Sequence, residues 1–180
     1  MCHYLGSRPY STKNTARDSW IMALFTFGEG YHNYHHAFQN DYRNGVKPWQ
    51  FDPTKWSIWL LQHAGLTSNL RRVPAEKIQL AEITEKQRQL ELSLANKKLT
   101  LSESAHALLH SAQDRLHTAA QNWEKRKADY SLATEKKIEA SKEKLAELRR
   151  EFEQAAAHLR EAIQHWNETH RMTVGSFAIA

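Results

Sequence analysis

Leu145-Ala146-Glu147-Leu148-Arg149-Arg150-Glu151-Phe152-Glu153-Gln154-Ala155-Ala156-Ala157-His158-Leu159 is the stretch that decides the fold class. Leu145, Phe152 and Leu159 recur every seven residues, and Leu148 and Ala155 each follow a member of that series by three. Such spacing returns apolar side chains to one side of an α-helix, and Ala, Leu, Glu, Gln and Arg are strong helix formers. Working outward, the series reads Ile138, Leu145, Phe152, Leu159, Trp166, with Ala162 extending the companion row. An earlier series runs Leu109, Leu116, Trp123, Tyr130. Tyr130 to Ile138 is a step of eight, so the two series are one residue out of phase. Either a stutter in one helix or a bend between two helices accounts for that. Residues 75 to about 170 contain neither Gly nor Pro. The expectation is an all-α chain whose second part is a modest coiled coil or a helical hairpin. It breaks near Leu99–Glu103, with Ser102 or Ser104 capping the helix that follows.

The first part is unlike this. All four prolines, five of the six glycines and four of the six tryptophans precede residue 75. Residues 1–74 carry eight Lys/Arg against four Asp/Glu, whereas the remainder carries 17 against 16. The reading is therefore a small helical, loop-containing part over 1–74 and a helical extension over 75–180. The pI of about 9.3 invites an anionic partner, but the basic residues are dispersed among acidic ones, so a nucleic-acid partner is not expected. Cys2 is the single cysteine, so no internal disulfide forms. Trp20–Phe27 is the longest apolar run and is far short of the ~20 residues that span a bilayer. No signal peptide follows Met1.

The chemistry-bearing segment is Gly28-Glu29-Gly30-Tyr31-His32-Asn33-Tyr34-His35-His36. On a helix, positions i, i+3 and i+4 share a face, so His32, His35 and His36 can aim three imidazoles at one region. Imidazole suits iron, zinc and copper. Taken alone, the array reads equally as a ligand set or as surface histidines. One such array rarely closes a coordination sphere, and His3 is a further candidate. Zinc is disfavoured, with no second cysteine and no H-E-x-x-H pattern. A Ser-His-Asp site has no nucleophile elbow to support it.

The same segment resembles the third histidine box of the stearoyl-CoA (delta-9) desaturase family. Phe38, Asp41-Tyr42-Arg43-Asn44-Gly45, Trp49, Asp52-Pro53-Thr54-Lys55-Trp56, Ile58-Trp59, Gly65-Leu66 and Leu70-Arg71-Arg72-Val73 continue the match at the family's spacing. Cys2-His3-Tyr4-Leu5-Gly6-Ser7-Arg8-Pro9-Tyr10 resembles the segment after the family's last membrane helix. The likeness covers residues 1–74, and the helical part resembles extensions of bacterial members. It implies the carboxy-terminal part of a di-iron acyl-CoA desaturase, with this part forming a cytosolic cap at the cytoplasmic face of the inner membrane. His32, His35 and His36 are then iron ligands, and His3 matches the family histidine outside the boxes. Glu29 stands where an acidic residue can orient imidazoles. The partners implied are a fatty acyl thioester and an electron donor protein.

The family's first two boxes, H-x-x-x-x-H and H-x-x-H-H, do not occur ahead of this segment, and His63, His106, His110, His117, His158, His165 and His170 do not supply them. The family asparagine that precedes the histidine matched by His3 would fall before Met1, so Met1 reads as an internal methionine of a fragment. Four histidines cannot hold two irons in the family's manner, so the expectation is weak metal binding and no activity for these residues alone. The rival reading is a non-catalytic helical interaction module, self-associating through its extension, with a relic histidine site. Trp49, Trp56 and Trp59 are expected to pack within the cap rather than form an interfacial belt. Arg8, Arg43, Lys47 and Lys55 read as surface charges, and Asp52-Pro53 as a turn into a helix.

Overall fold

The computed structural model describes residues 3–97, 101–135 and 142–177. Among them are six helices and two isolated β-bridges, so the chain is all-α. They fall into two compact units, residues 1–97 and 98–180.

In the first unit, α1 spans Trp20–Phe25, α2 His32–Ala37, α3 Pro53–His63 and α4 Ala75–Lys97. Ser19 caps α1 by accepting from Met22 N. Asp52 caps α3 by accepting from Lys55 N, with Pro53 in the first turn, as the Asp-Pro pair predicts. Between α1 and α2 the chain doubles back through Phe27 and Gly28, both at positive φ. Gly30 follows because no larger residue fits: a Cβ there would lie 2.1 Å from Ala23 N. Two bridges, Ser7 to Asp18 and Asp18 to Tyr31, lay the His3-bearing segment alongside the entry to α2.

The core of this unit joins Tyr10, Tyr34, Phe38 and Ile78, with Ala37, Val46, Val73 and Ala81 around them. Tyr10 meets Tyr34 edge-on at 5.2 Å between ring centres. Ile78 and Ala81 lie on α4, and Glu85 of α4 accepts from Thr12 N and Oγ1. The first compact unit thus runs through α4 to residue 97, and Ile78, Ala81 and Glu85 tie the helix that opens at residue 75 to the segment before it.

The second unit is a hairpin of α5, Glu103–Glu135, and α6, Lys142–Phe177. Ser102 caps α5, with Ala105 N donating to its Oγ. Trp123 lies 6.4 Å from Phe152, Tyr130 stacks on Phe152 at 6.0 Å, and Arg126 pairs with Glu151 at 2.8 Å. Asp114 and Asn122 of α5 share a cleft with His158 and Ala162 of α6, and further along α5 Arg126 meets the earlier Glu151, so the pair is antiparallel. The phase slip between the two apolar series thus marks two helices. Ile138 and Leu99 lie outside the described residues. On α6 Ala155, Ala156, Leu159, Ala162, Ile163 and Trp166 are buried, and the row continues through Thr169 and Thr173. Thr173 satisfies its hydroxyl within the helix, Oγ1 donating to the Thr169 carbonyl, and the helix runs past Gly175 to Phe177. Among the described residues no helix is long and apolar enough to cross a membrane.

Candidate metal centre

α2 is built so that its polar inward residue locks it and its histidines face out. Asn33 is fully buried. Its Oδ1 accepts from Tyr10 N at 2.9 Å and Ser11 N at 3.2 Å, and its Nδ2 donates to the carbonyls of Ser11 at 2.7 Å and Ala16 at 3.0 Å. All four bonding directions of the carboxamide are used. At the start of the helix Asp18 Oδ1 accepts from Asn33 N and Tyr34 N. Burial pushes the Asp18 carboxyl up from 3.8 to about 6, although those two N–H groups oppose the rise. Tyr34 points the other way and donates to Asp41 at 2.8 Å. Asp41 also accepts from Arg43 Nη2 at 2.7 Å and from Val73 N at 2.8 Å. Burial works to raise the Asp41 carboxyl, but the bonds from Arg43, Val73 and Tyr34 outweigh it and hold it below the usual range.

With Asn33 and Tyr34 inward, His32, His35 and His36 come to one side, and the segment laid along them adds His3. Ring centres are 4.4 Å apart for His32 and His36, 5.9 Å for His35 and His36, and 6.3 Å for His32 and His35. His3 stands 5.1 Å from His32 and 6.4 Å from His36. Rings bound to one ion through nitrogens at ~2.1 Å have centres no more than about 6.5 Å apart, and all five separations meet that limit. His32 Nε2 and His36 Nε2 are 3.1 Å apart. Two nitrogens at that spacing and ~2.1 Å from a shared ion subtend about 95°, the angle of neighbouring ligands in an octahedral set. His3 Nδ1 bonds Thr15 Oγ1 at 2.8 Å, which leaves its Nε2 outward, the usual way a ligating histidine is held from behind.

The donors are gathered but not yet convergent. Among the described residues no three His, Cys, Asp or Glu groups surround a single point. Burial, then the neighbouring His36, His3 and His35, lowers the proton affinity of His32, so proton competition for its nitrogen is reduced. Glu29 lines a cavity of about 160 Å³ together with His32, His35 and Asn44, and it makes no hydrogen bond to an imidazole among the described residues. Imidazole donors suit a divalent first-row ion, and the rings of His32, His35 and His36 lie pairwise within the span one ion allows.

Several features escape a reading by residue type. Lys55 is nearly buried, with Nζ donating to the Gly45 carbonyl at 2.8 Å, and burial lowers its proton affinity against the pull of Asp52. Arg43 is tied to Asp41. Neither is the surface charge expected. Thr15 carried no sequence signal, and Asn44 stood only within the family-like run Asp41–Gly45, with no role of its own. The tryptophans do not pack as expected: Trp49 is 78% exposed, and Trp56 and Trp59 are 47% exposed. Trp20, Phe25 and Phe27 around α1 are also mostly exposed.

No family model matches the chain, and no solved structure matches it. Curated proteins do. The chain is 44% identical over 90 residues to Acyl-CoA desaturase 1 of Saccharomyces cerevisiae, covering 50% of this chain and 18% of that protein. It is 46% identical over 91 residues to a probable acyl-CoA desaturase of Schizosaccharomyces pombe, covering 51% and 19%. It is 38% identical over 76 residues to Delta-9 acyl-lipid desaturase 1 of Arabidopsis thaliana, covering 42% and 25%. The 180 residues thus span about a fifth to a quarter of the curated relatives they match.

Proposed function

We propose that these residues are the carboxy-terminal part of a fatty-acyl desaturase catalytic domain, and that His3, His32, His35 and His36 contribute to its iron site. The carrying observation is the gathering of the four imidazoles, with five of their six ring pairs 4.4 to 6.4 Å apart. The likeness to acyl-CoA desaturases supports it. Iron bound there would supply dioxygen activation for removing two hydrogens from a saturated acyl chain, at the delta-9 position by resemblance.

The work of this chain is positioning. Asn33 fixes the rotation of α2, Asp18 holds its first turn, and Thr15 sets the His3 ring. Glu29, at the cavity edge, adds negative potential beside His32. By resemblance, the remaining ligands and the acyl-chain tunnel belong to sequence outside these 180 residues. Without them the acyl chain is not held against the metal, and the rate advantage of an oriented substrate is lost. The outward apolar residues of α1 and α3 agree, since such surface in one unit marks a covered face. In the second unit α5 already covers the apolar row of α6, so self-association would have to use other surface.

The test is a chimera. The segment of Acyl-CoA desaturase 1 of S. cerevisiae that matches this chain is replaced by residues 1–97. The account expects unsaturated acyl product from the chimera and loss of product in its His32→Ala variant at equal protein level. Equal product from both proteins would contradict the ligand assignment.

A further inference from the structure

The cavity beside His32 and His35 has a fourth wall, Asn44, and nothing in the chemistry so far uses it. Asn44 is held there by its backbone. Asp52, fully buried, accepts from Asn44 N and Gly45 N through Oδ2, both at 2.8 Å, while its Oδ1 accepts from Lys55 N at 2.9 Å. Gly45 lies so close to Tyr31, the residue before His32, that a Cβ on it would meet the Tyr31 ring at 3.2 Å. One carboxylate thereby fixes the Asn44 backbone, the start of α3 and the flank of α2 as a single piece. The Asn44 carboxamide itself makes no hydrogen bond among the described residues, although its backbone is pinned. A carboxamide on a pinned backbone, making no hydrogen bond among the described residues and lining a cavity shared with two imidazoles, has an oxygen to offer there.

We propose that Asn44 is an additional donor of this metal centre, adding a carboxamide oxygen to the imidazoles of His32 and His35. The inference rests on the metal-site reading above and extends it by one residue and one donor type. A mixed nitrogen and oxygen set suits a divalent first-row ion better than imidazole alone would suit a soft one. Asn44→Asp keeps the shape and adds a negative charge beside the ion, whereas Asn44→Ala removes the donor and leaves the Asp52 anchoring of the backbone in place.

The probe is cobalt(II), titrated anaerobically into the 180-residue chain and followed by its visible absorption. The account expects Asn44→Ala to weaken binding about tenfold. Asn44→Asp should tighten it and move the absorption bands, and His35→Ala should abolish it. Far-UV circular dichroism shows whether each variant keeps its helices, and Asn44→Asp decides the matter should Asn44→Ala lose them. Binding by the parent chain that His35→Ala removes but both Asn44 variants leave unchanged would overturn the inference alone. No cobalt(II) binding by the parent chain would overturn both the inference and the reading beneath it.

Discussion

Asn33 and Ser11 grip each other twice, Nδ2 of Asn33 donating to the Ser11 carbonyl at 2.7 Å and its Oδ1 accepting from Ser11 N at 3.2 Å. The residue between the first two histidines of the array is thus the clasp that ties α2 to the His3-bearing segment. Replacing it strands several buried backbone groups at once. Asn33→Ala is expected to destabilise the first unit by about 3 kcal/mol. Asn33→Asp should cost at least as much, because it buries a charge and loses both Nδ2 bonds. Urea unfolding followed by circular dichroism checks this, and a change below about 0.5 kcal/mol would show that the clasp is incidental.

Asp18 makes stability depend on pH in a direction opposite to that of most carboxylates. Its folded value, about 6, is raised above the ordinary 3.8. Its stabilising contribution is therefore complete below pH ~4 and lost as pH rises through about 6. Asp18→Asn keeps an oxygen for Asn33 N and Tyr34 N and removes the buried charge. The variant should gain on the parent by on the order of 2–3 kcal/mol between pH 4 and pH 8. Paired melts across that range test it, and a constant difference would contradict the burial of a charge at Asp18.

The hairpin unit rests on its two tryptophans. Trp166 and Trp123 are each only 1% exposed. Trp166→Ala should cost about 3–5 kcal/mol. Leu108→Ala, at a residue 58% exposed, should change stability by less than about 0.5 kcal/mol. Thermal melting of residues 98–180 within the full chain, read by the fluorescence of Trp123, separates the two outcomes. Equal effects would mean that the α5–α6 packing described here is not the one in solution.

Periodicity made the helices legible. The seven-residue rows from Leu109 to Trp166 marked α5 and α6, but their phase slip fitted a stutter as well as a break between two helices, and packing decides for two helices. The same rows stopped short at Trp166, because Thr169 and Thr173 do not look apolar in the sequence although both are buried. The extent of the first unit was not legible. α4 has no strong apolar row, and Ile78 and Glu85 are claimed by tertiary partners that lie far away in sequence. At the candidate centre, spacing singled out His32, His35 and His36, because one helix carries all three. Thr15 and Asp18 were silent because their roles arise only where separate segments meet. Lys55 and Arg43 looked like surface charges because residue type alone does not reveal a buried carbonyl or carboxylate waiting for them.

The most direct test of the histidine centre is an anaerobic titration of the 180-residue chain with ferrous iron, with bound metal counted after gel filtration. The account predicts at most one weakly held iron per chain, lost in His32→Ala and His35→Ala and retained in His63→Ala. Two tightly held irons per chain, or iron binding that survives both His32→Ala and His35→Ala, would contradict it.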